Sequence, residues 1–360
     1  MSDSFNANPS LLLVEREYAR AARFQSAVSM GLIGLFLAMF LTGDWISHTP
    51  KMCDVFGNRE LALNADGSGY FVQRGAFFDE VDYLWYHILD TADYSRGGVY
   101  LFGSSNVLHC VNTWTLPPQQ AAAIHNYGFS GANPKQMAQF VHYLIDRRGL
   151  LSAGPGKHMF IFGFSYVDVE GGAVESYFAS GVARSGIYRY DPDAGIVDLP
   201  LSPVERFINL ERARTRSVAL RVLLGQRHIP ANVLNVPAFR NHLLERLGTQ
   251  WQTDLPVQMQ EVSRLLDDLG QNHVQMMGVL LPVGSWGADI PVRTAYENQL
   301  RDVFAAHSLP LIDCTGLVPD AEFCDPYHVN AKGAARIQGI LVDHAMDFVR
   351  ENGLMPTEAR

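Results

Sequence analysis

Two short stretches carry residue types that can do covalent chemistry together. Gly103-Ser104-Ser105-Asn106 closes the apolar run Val99–Phe102 and presents two hydroxyls. Asp325-Pro326-Tyr327-His328, far downstream, sets a carboxylate three positions before an imidazole. A serine hydroxyl is a weak nucleophile until a positioned base takes its proton, and histidine is suited to that task near neutral pH. A carboxylate held by a proline-containing turn can face Nδ1 of the ring and fix its tautomer, which leaves Nε2 as the base. The chemistry implied is acyl transfer through serine.

Those stretches need elements to hold them. An apolar run that stops at Gly103 reads as a buried strand delivering a serine to the carboxyl edge of a parallel sheet, where ligands gather in open α/β folds. From Gly97 onward, strand-like runs at Tyr100–Phe102, Ala122–Tyr127, Met159–Phe162, Val274–Leu281 and Leu309–Ile312 alternate with helical patterns. The helical patterns cover Pro134–Arg148, Pro203–Leu224, Val257–Leu269, Val292–His307 and Ala331–Glu351. This alternation predicts right-handed crossovers and a mainly parallel five-stranded sheet with helices on both faces. Asp325 and His328 then lie on the loop between the last strand and the last helix, a place that suits functional residues. Val167–Leu201, rich in Gly, Ser, Tyr and Asp, breaks the rhythm and reads as an insertion near the site, a lid or substrate loop.

The nucleophile elbow G-x-S-x-G would need glycine at position 107, where Val107 stands, which argues against the α/β-hydrolase family. Taken in order, Gly103-Ser-Ser-Asn106, Asn126-Tyr-Gly-Phe-Ser-Gly131 and Asp325-Pro-Tyr-His328-Val-Asn-Ala-Lys-Gly333 resemble the SGNH (GDSL-like) hydrolase superfamily. The resemblance runs over residues 97–350 and is most specific at its first and last motifs. It implies a three-layer α/β fold with Ser105 as nucleophile, His328 as base and Asp325 as its orienter. It also implies an oxyanion hole drawn from the backbone N–H groups of Ser105 and Gly131.

One position departs from the family pattern. The family places an asparagine donor after its third strand, in G-x-N-D, whereas this chain reads Gly163-Phe-Ser165-Tyr166. Ser165 is then expected to complete the hole with a shorter, less firmly held hydroxyl. The departure is similar to that of membrane-anchored SGNH-like proteins that transfer acyl groups to extracytoplasmic glycans.

Other residues carry weaker signals. Asn106 and Asn126 are candidate substrate contacts, while His109 and Cys110 read as packing residues one turn beyond Ser105. His125 ends a strand near the site, and Asp168 reads as either a site residue or a loop cap. Cys314 and Cys324 would form a disulfide in an oxidising compartment, pinning the loop that bears Asp325, or else remain two buried thiols. Arg184 and Arg189 in the insertion are candidates for an anionic or sugar ligand, or belong to a solvated loop.

Composition bounds the rest. With 48% hydrophobic and 18% charged residues the chain is that of a globular protein, and a formal net charge of −9 without a basic stripe argues against nucleic acid as a partner. No C-x-x-C, H-E-x-x-H or P-loop pattern is present, so neither metal nor cofactor is called for. The 20 residues from Phe24 to Gly43 are uncharged and follow Arg16, Arg20 and Arg23. A helix of that length spans a hydrocarbon core, and the preceding arginines keep its N-terminus cytoplasmic. A cleaved signal peptide and a buried soluble helix are the other readings.

The expected organisation is a leader at 1–23, a single transmembrane anchor at 24–43, a membrane-proximal connector at 44–96 and a catalytic domain at 97–352, with the insertion at 167–201. Asp79, Glu80 and Asp82 in the connector read as a capping pattern at a helix start. The expected activity is esterase or O-acyltransferase chemistry on acyl esters of an extracytoplasmic, periplasmic glycan or cell-envelope polymer. It involves an acyl donor, a glycan or lipid acceptor and a multi-span membrane acyltransferase as partner. The alternatives are a non-catalytic glycan-binding member of the same fold and a membrane-docked lipase.

Overall fold

A computed structural model of the chain describes residues 20, 23–35, 37–38, 88–89, 92–113, 116–169, 177–212 and 235–354. The elements in chain order are β1 (Gly98–Gly103), α1 (Ser105–Cys110), α2 (Pro118–Ala121), β2 (Ile124–Gly128), α3 (Pro134–Arg148) and β3 (His158–Phe164). They continue with α4 (Tyr177–Arg184), β4 (Tyr188–Asp191), β5 (Gly195–Asp198), α5 (Val236–Leu247), α6 (Trp251–Gln271) and β6 (Gln275–Leu280). The series ends with α7 (Pro291–Ala306), β7 (Leu311–Asp313) and α8 (Ala331–Glu351). Residues 203–212 are also helical.

Five strands form one sheet in the order β2-β1-β3-β6-β7, and every pairing in it is parallel. Chain direction across the sheet reverses between β1 and β3, and such a switch point opens a crevice at the strands' carboxyl ends. The pleat sorts side chains by parity. Tyr100, Phe102, Phe160, Phe162 and Phe164 share one face and interlock as edge and stacked pairs, with Phe102 and Phe160 centroids 5.2 Å apart. That face meets α3 and α7 through Phe140 and Phe304, and α6 packs against both helices. The opposite face is lined by smaller side chains and carries α1 and α8. Residues on both faces are buried, so β1 and β3 read as unbroken apolar runs rather than alternating ones.

The insertion separates into two parts. Tyr177 opens α4, while the β4–β5 hairpin lies on the outer side of α3. There Tyr190 donates its hydroxyl hydrogen to Gln139 Oε1 at 2.7 Å, and Tyr143 donates to Asp198 at 3.2 Å. Helix α5 has no counterpart among the helical patterns read from the sequence. The second half of the 203–224 pattern and residues 77–87 of the helical pattern expected over Phe77–Leu89 lie outside the described residues. Ile88, Leu89 and Tyr94, assigned to the connector, are buried in the same core as the sheet.

The transmembrane anchor expected at 24–43 does not emerge as such. Residues 23–35 are helical and exposed, residues 36 and 39–43 lie outside the described set, and no helix among the described residues is long and apolar enough to cross a membrane.

Candidate active site

The nucleophile turn is built by close packing. Ser104 caps α1, its Oγ accepting the backbone N–H of Asn106 at 3.1 Å, so Ser105 becomes the first helical residue. Its N–H falls among the four at a helix start that have no partner within the helix. Helix α1 lies hard against the sheet. A Cβ at Gly103 would stand 2.4 Å from Val107 Cγ2 and 2.6 Å from the Gly163 carbonyl. Only glycine at the end of β1 lets the helix begin there.

Asn126 fixes the helix from the neighbouring strand. It is fully buried, its Nδ2 donates to the carbonyls of Val107 at 3.1 Å and Val111 at 2.7 Å, and its Oδ1 accepts from the Gly128 N–H at 2.9 Å. The expectation that Asn126 contacts substrate is therefore corrected: its whole hydrogen-bonding capacity is turned inward to hold α1 on β2.

The β2–α3 loop is drawn to the same place. Phe129 N–H donates to the Gly103 carbonyl at 2.9 Å, and a capping box between Asn133 and Gln136 sets where α3 begins. Between them Gly131 has φ +69°, a left-handed conformation that favours glycine.

The base arrives on a turn that holds itself. Asp325 Oδ1 accepts the N–H groups of Tyr327 at 2.7 Å and His328 at 2.8 Å, and its Oδ2 meets His328 Nδ1 at 2.8 Å. The Cys324 N–H donates to the His328 carbonyl, and buried Trp286 donates its indole N–H to the Pro326 carbonyl at 3.0 Å. His328 Nε2 then lies 2.7 Å from Ser105 Oγ. The structure thus brings Ser105, His328 and Asp325 into one relay. His109 packs edge-on against the His328 ring, with centroids 4.7 Å apart.

These residues open onto a cleft lined by Ser105, Asn106, Gly131, Asn133, Asp168, Tyr177, Arg246, Tyr327 and His328, with Ala132 and Val167 as its apolar members. Ser165 is not among them. Its N–H donates to Asp168 Oδ2 at 3.1 Å and its carbonyl accepts the Asp168 N–H at 2.9 Å, so it anchors the short helical turn after β3. The Ser165 side chain is buried and does not line the cleft, so the expectation that its hydroxyl completes the oxyanion hole gains no support. Asn106 also lines the cleft, and its Nδ2 donates to Ser104 Oγ at 3.2 Å and to Asp168 Oδ1 at 3.3 Å.

Asp168 is the carboxyl that lines the cleft. Burial pushes it up to about 7, against the lowering pull of Ser104, the Ser165 N–H, Asn106 and His328. The carboxyl is still accessible at the cleft although its surroundings are dry enough to raise it. Asp325, by contrast, is met by two backbone N–H groups and an imidazole.

The proposed disulfide between Cys314 and Cys324 is corrected as well: Cys110, Cys314 and Cys324 are free and buried. Cys324 Sγ points back into its own turn toward the Val329 carbonyl at 3.4 Å, and the thiol that Cys314 influences electrostatically is Cys110. Burial raises all three thiols. Hydrogen bonds, not a covalent link, secure the Asp325 loop.

Sequence reasoning missed Arg246, Tyr327, Tyr177, Asn133 and Trp286 as site residues. Tyr327 sat inside the singled-out motif, and Tyr177 inside the insertion. Arg246 and Trp286 reach the site only through tertiary packing and leave no local signal.

No family model and no curated protein matches the chain. A solved structure from Bacteroides fragilis, provisionally assigned as an acylhydrolase, aligns with 11% identity and a TM-score of 0.38 over 76% of this chain and 99% of its own.

Proposed function

We propose that this chain is a serine-dependent enzyme of acyl esters that works through an acyl-enzyme on Ser105. The observation that carries the reading is the relay from Asp325 through His328 to Ser105, with contacts of 2.8 and 2.7 Å at the carboxyl edge of a parallel sheet. As an ester carbonyl approaches, Ser105 Oγ attacks its carbon and His328 Nε2 takes the hydroxyl proton, while Asp325 stabilises the imidazolium. The negative charge that develops on the carbonyl oxygen is met by the N–H groups of Ser105 and Gly131. The imidazolium returns its proton to the departing alcohol, leaving acyl-Ser105. His328 then deprotonates water, or a sugar hydroxyl in a transferase, the attacking oxygen takes the acyl group, and the imidazolium returns its proton to the departing Ser105 Oγ.

The cleft favours a short acyl group on a polar carrier. Its apolar lining is limited to Ala132 and Val167 beside two tyrosine rings, too little to cover a long alkyl chain. We place this site on the extracytoplasmic side of a membrane. That placement draws on the uncharged segment 24–43 behind three arginines and on the exposure of Phe24, Met30, Leu32, Ile33 and Leu35 around the helix at 23–35.

Purified protein offered 4-nitrophenyl acetate and a fluorophosphonate probe tests the chemistry. Turnover and labelling that vanish together in a folded Ser105→Ala variant are expected. A wild-type protein that does neither leaves a non-catalytic glycan-binding module. Preference for long-chain esters would favour the membrane-docked lipase. Release of free acid at the same rate with and without glycan acceptors would favour hydrolysis over transfer. A periplasm-dependent reporter fused after Gly353 tests the topology, and its silence in intact cells would overturn the placement.

A further inference from the structure

Asp168 stands where two parts of the cleft meet. It lies on the helical turn Tyr166–Val169 that follows β3, and it lines the cleft together with Ser105 and Asn106. A carboxyl that only closed its own turn would need one oxygen, the Oδ2 that accepts the Ser165 N–H at 3.1 Å. Its Oδ1 reaches away from that turn, to Asn106 Nδ2 at 3.3 Å, 62 positions earlier in the chain. Ser104 is a third hydrogen-bonding partner of the same carboxyl.

The hydrogen bonds around Ser105 close on that group. Ser104 Oγ accepts the Asn106 N–H at 3.1 Å and Asn106 Nδ2 at 3.2 Å, so its lone pairs are taken and its own hydrogen is left for Asp168. One Nδ2 hydrogen of Asn106 goes to Ser104 and the other to Asp168. Ser104 and Asn106 are both buried, and they flank Ser105 in the chain. Asp168 thus grips both neighbours of the nucleophile from the end of β3, the strand paired with the one that delivers it. Hydrogen bonds to an ionised carboxylate are about twice as strong as neutral ones.

The surroundings oppose a charge there. Tyr296 of α7, which packs against the Tyr166–Val169 turn, brings a hydroxyl at 0% exposure that has no hydrogen-bond partner among the described residues and lies within electrostatic reach of Asp168. Ground this dry disfavours the ionised form, and stability alone would favour a neutral side chain. A carboxyl kept there, with two of its three donors drawn from the nucleophile turn, is the kind of local sacrifice that active sites retain.

We propose that Asp168 is a positioning residue for the nucleophile: its carboxylate holds Ser104 and Asn106 against the sheet and so keeps Ser105 Oγ in line with His328 Nε2. The role rests on Ser105 as the nucleophile of the proposed esterase. It acts on acylation and deacylation through the placing of one oxygen, and leaves substrate binding alone.

Kinetics of the full chain with 4-nitrophenyl acetate test it for wild type, Asp168→Asn, Asn106→Ala and the double variant, at about pH 8, above the value of about 7 to which burial raises the carboxyl. Asp168→Asn is expected to lower kcat about 10²-fold, the effect of a small misplacement of reacting groups, with KM within about twofold of wild type. Labelling by a fluorophosphonate should slow by a similar factor. Asn106→Ala removes the same link from its other end and should lower kcat in the same way. Because both act through one link, the double variant should be no more than about threefold slower than the slower single one. Circular dichroism establishes that each variant is folded. If Asp168→Asn does not fold, Asn106→Ala decides alone, and a wild-type kcat in it overturns the proposal. A wild-type kcat in folded Asp168→Asn, a raised KM at unchanged kcat, or losses that multiply in the double variant would each overturn it too. Wild-type protein that neither turns over the ester nor takes the label would remove the esterase reading and this role with it. That outcome is distinct from an active wild type that is indifferent to Asp168.

Discussion

The turn that bears Ser105 and the turn that bears His328 reach the same cleft by different means. The first is shaped by space: Gly103 admits α1, and Asn126 clamps it to β2 from 0% exposure. The second is shaped by one carboxylate, since Asp325 accepts two N–H groups of its own turn and the imidazole that it orients. Damage to the first turn should therefore surface as lost folding energy. Damage to the second should surface as lost chemistry in a folded protein. Asp325→Asn sets the extreme of that contrast. An amide facing Nδ1 favours the wrong tautomer of His328, and turnover of 4-nitrophenyl acetate should fall about 10⁴-fold. Circular dichroism and thermal melting should still show a folded protein. A folded Asp325→Asn variant that keeps a tenth of wild-type turnover would break the relay reading.

On the nucleophile side the expected losses are in stability. Gly103→Ala forces a methyl group against Val107 and the Gly163 carbonyl, both parts of the sheet-to-helix contact. Overpacking of this kind costs about 3 kcal/mol, read as a lower midpoint in urea denaturation. Asn126→Ala leaves the Val107 and Val111 carbonyls and the Gly128 N–H without their buried partner, at a cost of about 2 kcal/mol. The folded fraction of that variant should keep the wild-type KM, since Asn126 does not line the cleft. A raised KM with unchanged stability would restore Asn126 as a substrate contact and blur the distinction between the turns.

The same contrast explains what was legible in the sequence. The Asp325–His328 turn is closed by contacts two and three residues apart, so its geometry is nearly contained in its own spelling. The parallel sheet was legible too, because β1 and β3 are buried on both faces and stand out as apolar runs between helical patterns. Asn126 was misread because a polar residue at the carboxyl end of a strand looks the same whether it faces a substrate or three backbone groups. The family position of Ser165 says nothing of Asp168, three residues on, whose Oδ2 accepts the Ser165 N–H and ties this turn to the site. Helix α5 brings Arg246 to Tyr327 across a long stretch of chain, and neither its weak periodicity nor its composition announces that contact.

Asp168 belongs to neither turn wholly, and it gives the smallest and most selective test of how the two differ. It sits on the sheet side, yet His328 acts on its carboxyl electrostatically. Burial holds it protonated up to about 7, whereas in the unfolded chain an aspartate releases its proton near pH 4. Between those values the unfolded state binds fewer protons than the native one, so native stability falls as pH rises from about 4 to about 7. His158 works in the other direction. It is buried and lowered to about 4, so its contribution to native stability grows as pH rises toward the ordinary histidine range. The net slope of the wild type therefore isolates neither group, but the difference between wild type and Asp168→Asn does. The asparagine variant cannot ionise, and relative to wild type it should gain about 1 kcal/mol between pH 5 and pH 8, a fraction of the full shift because the cleft admits solvent. Urea midpoints at the two pH values measure it. A difference that stays flat with pH would mean that Asp168 is ionised throughout. The sheet side would then share the electrostatic construction of the Asp325 turn.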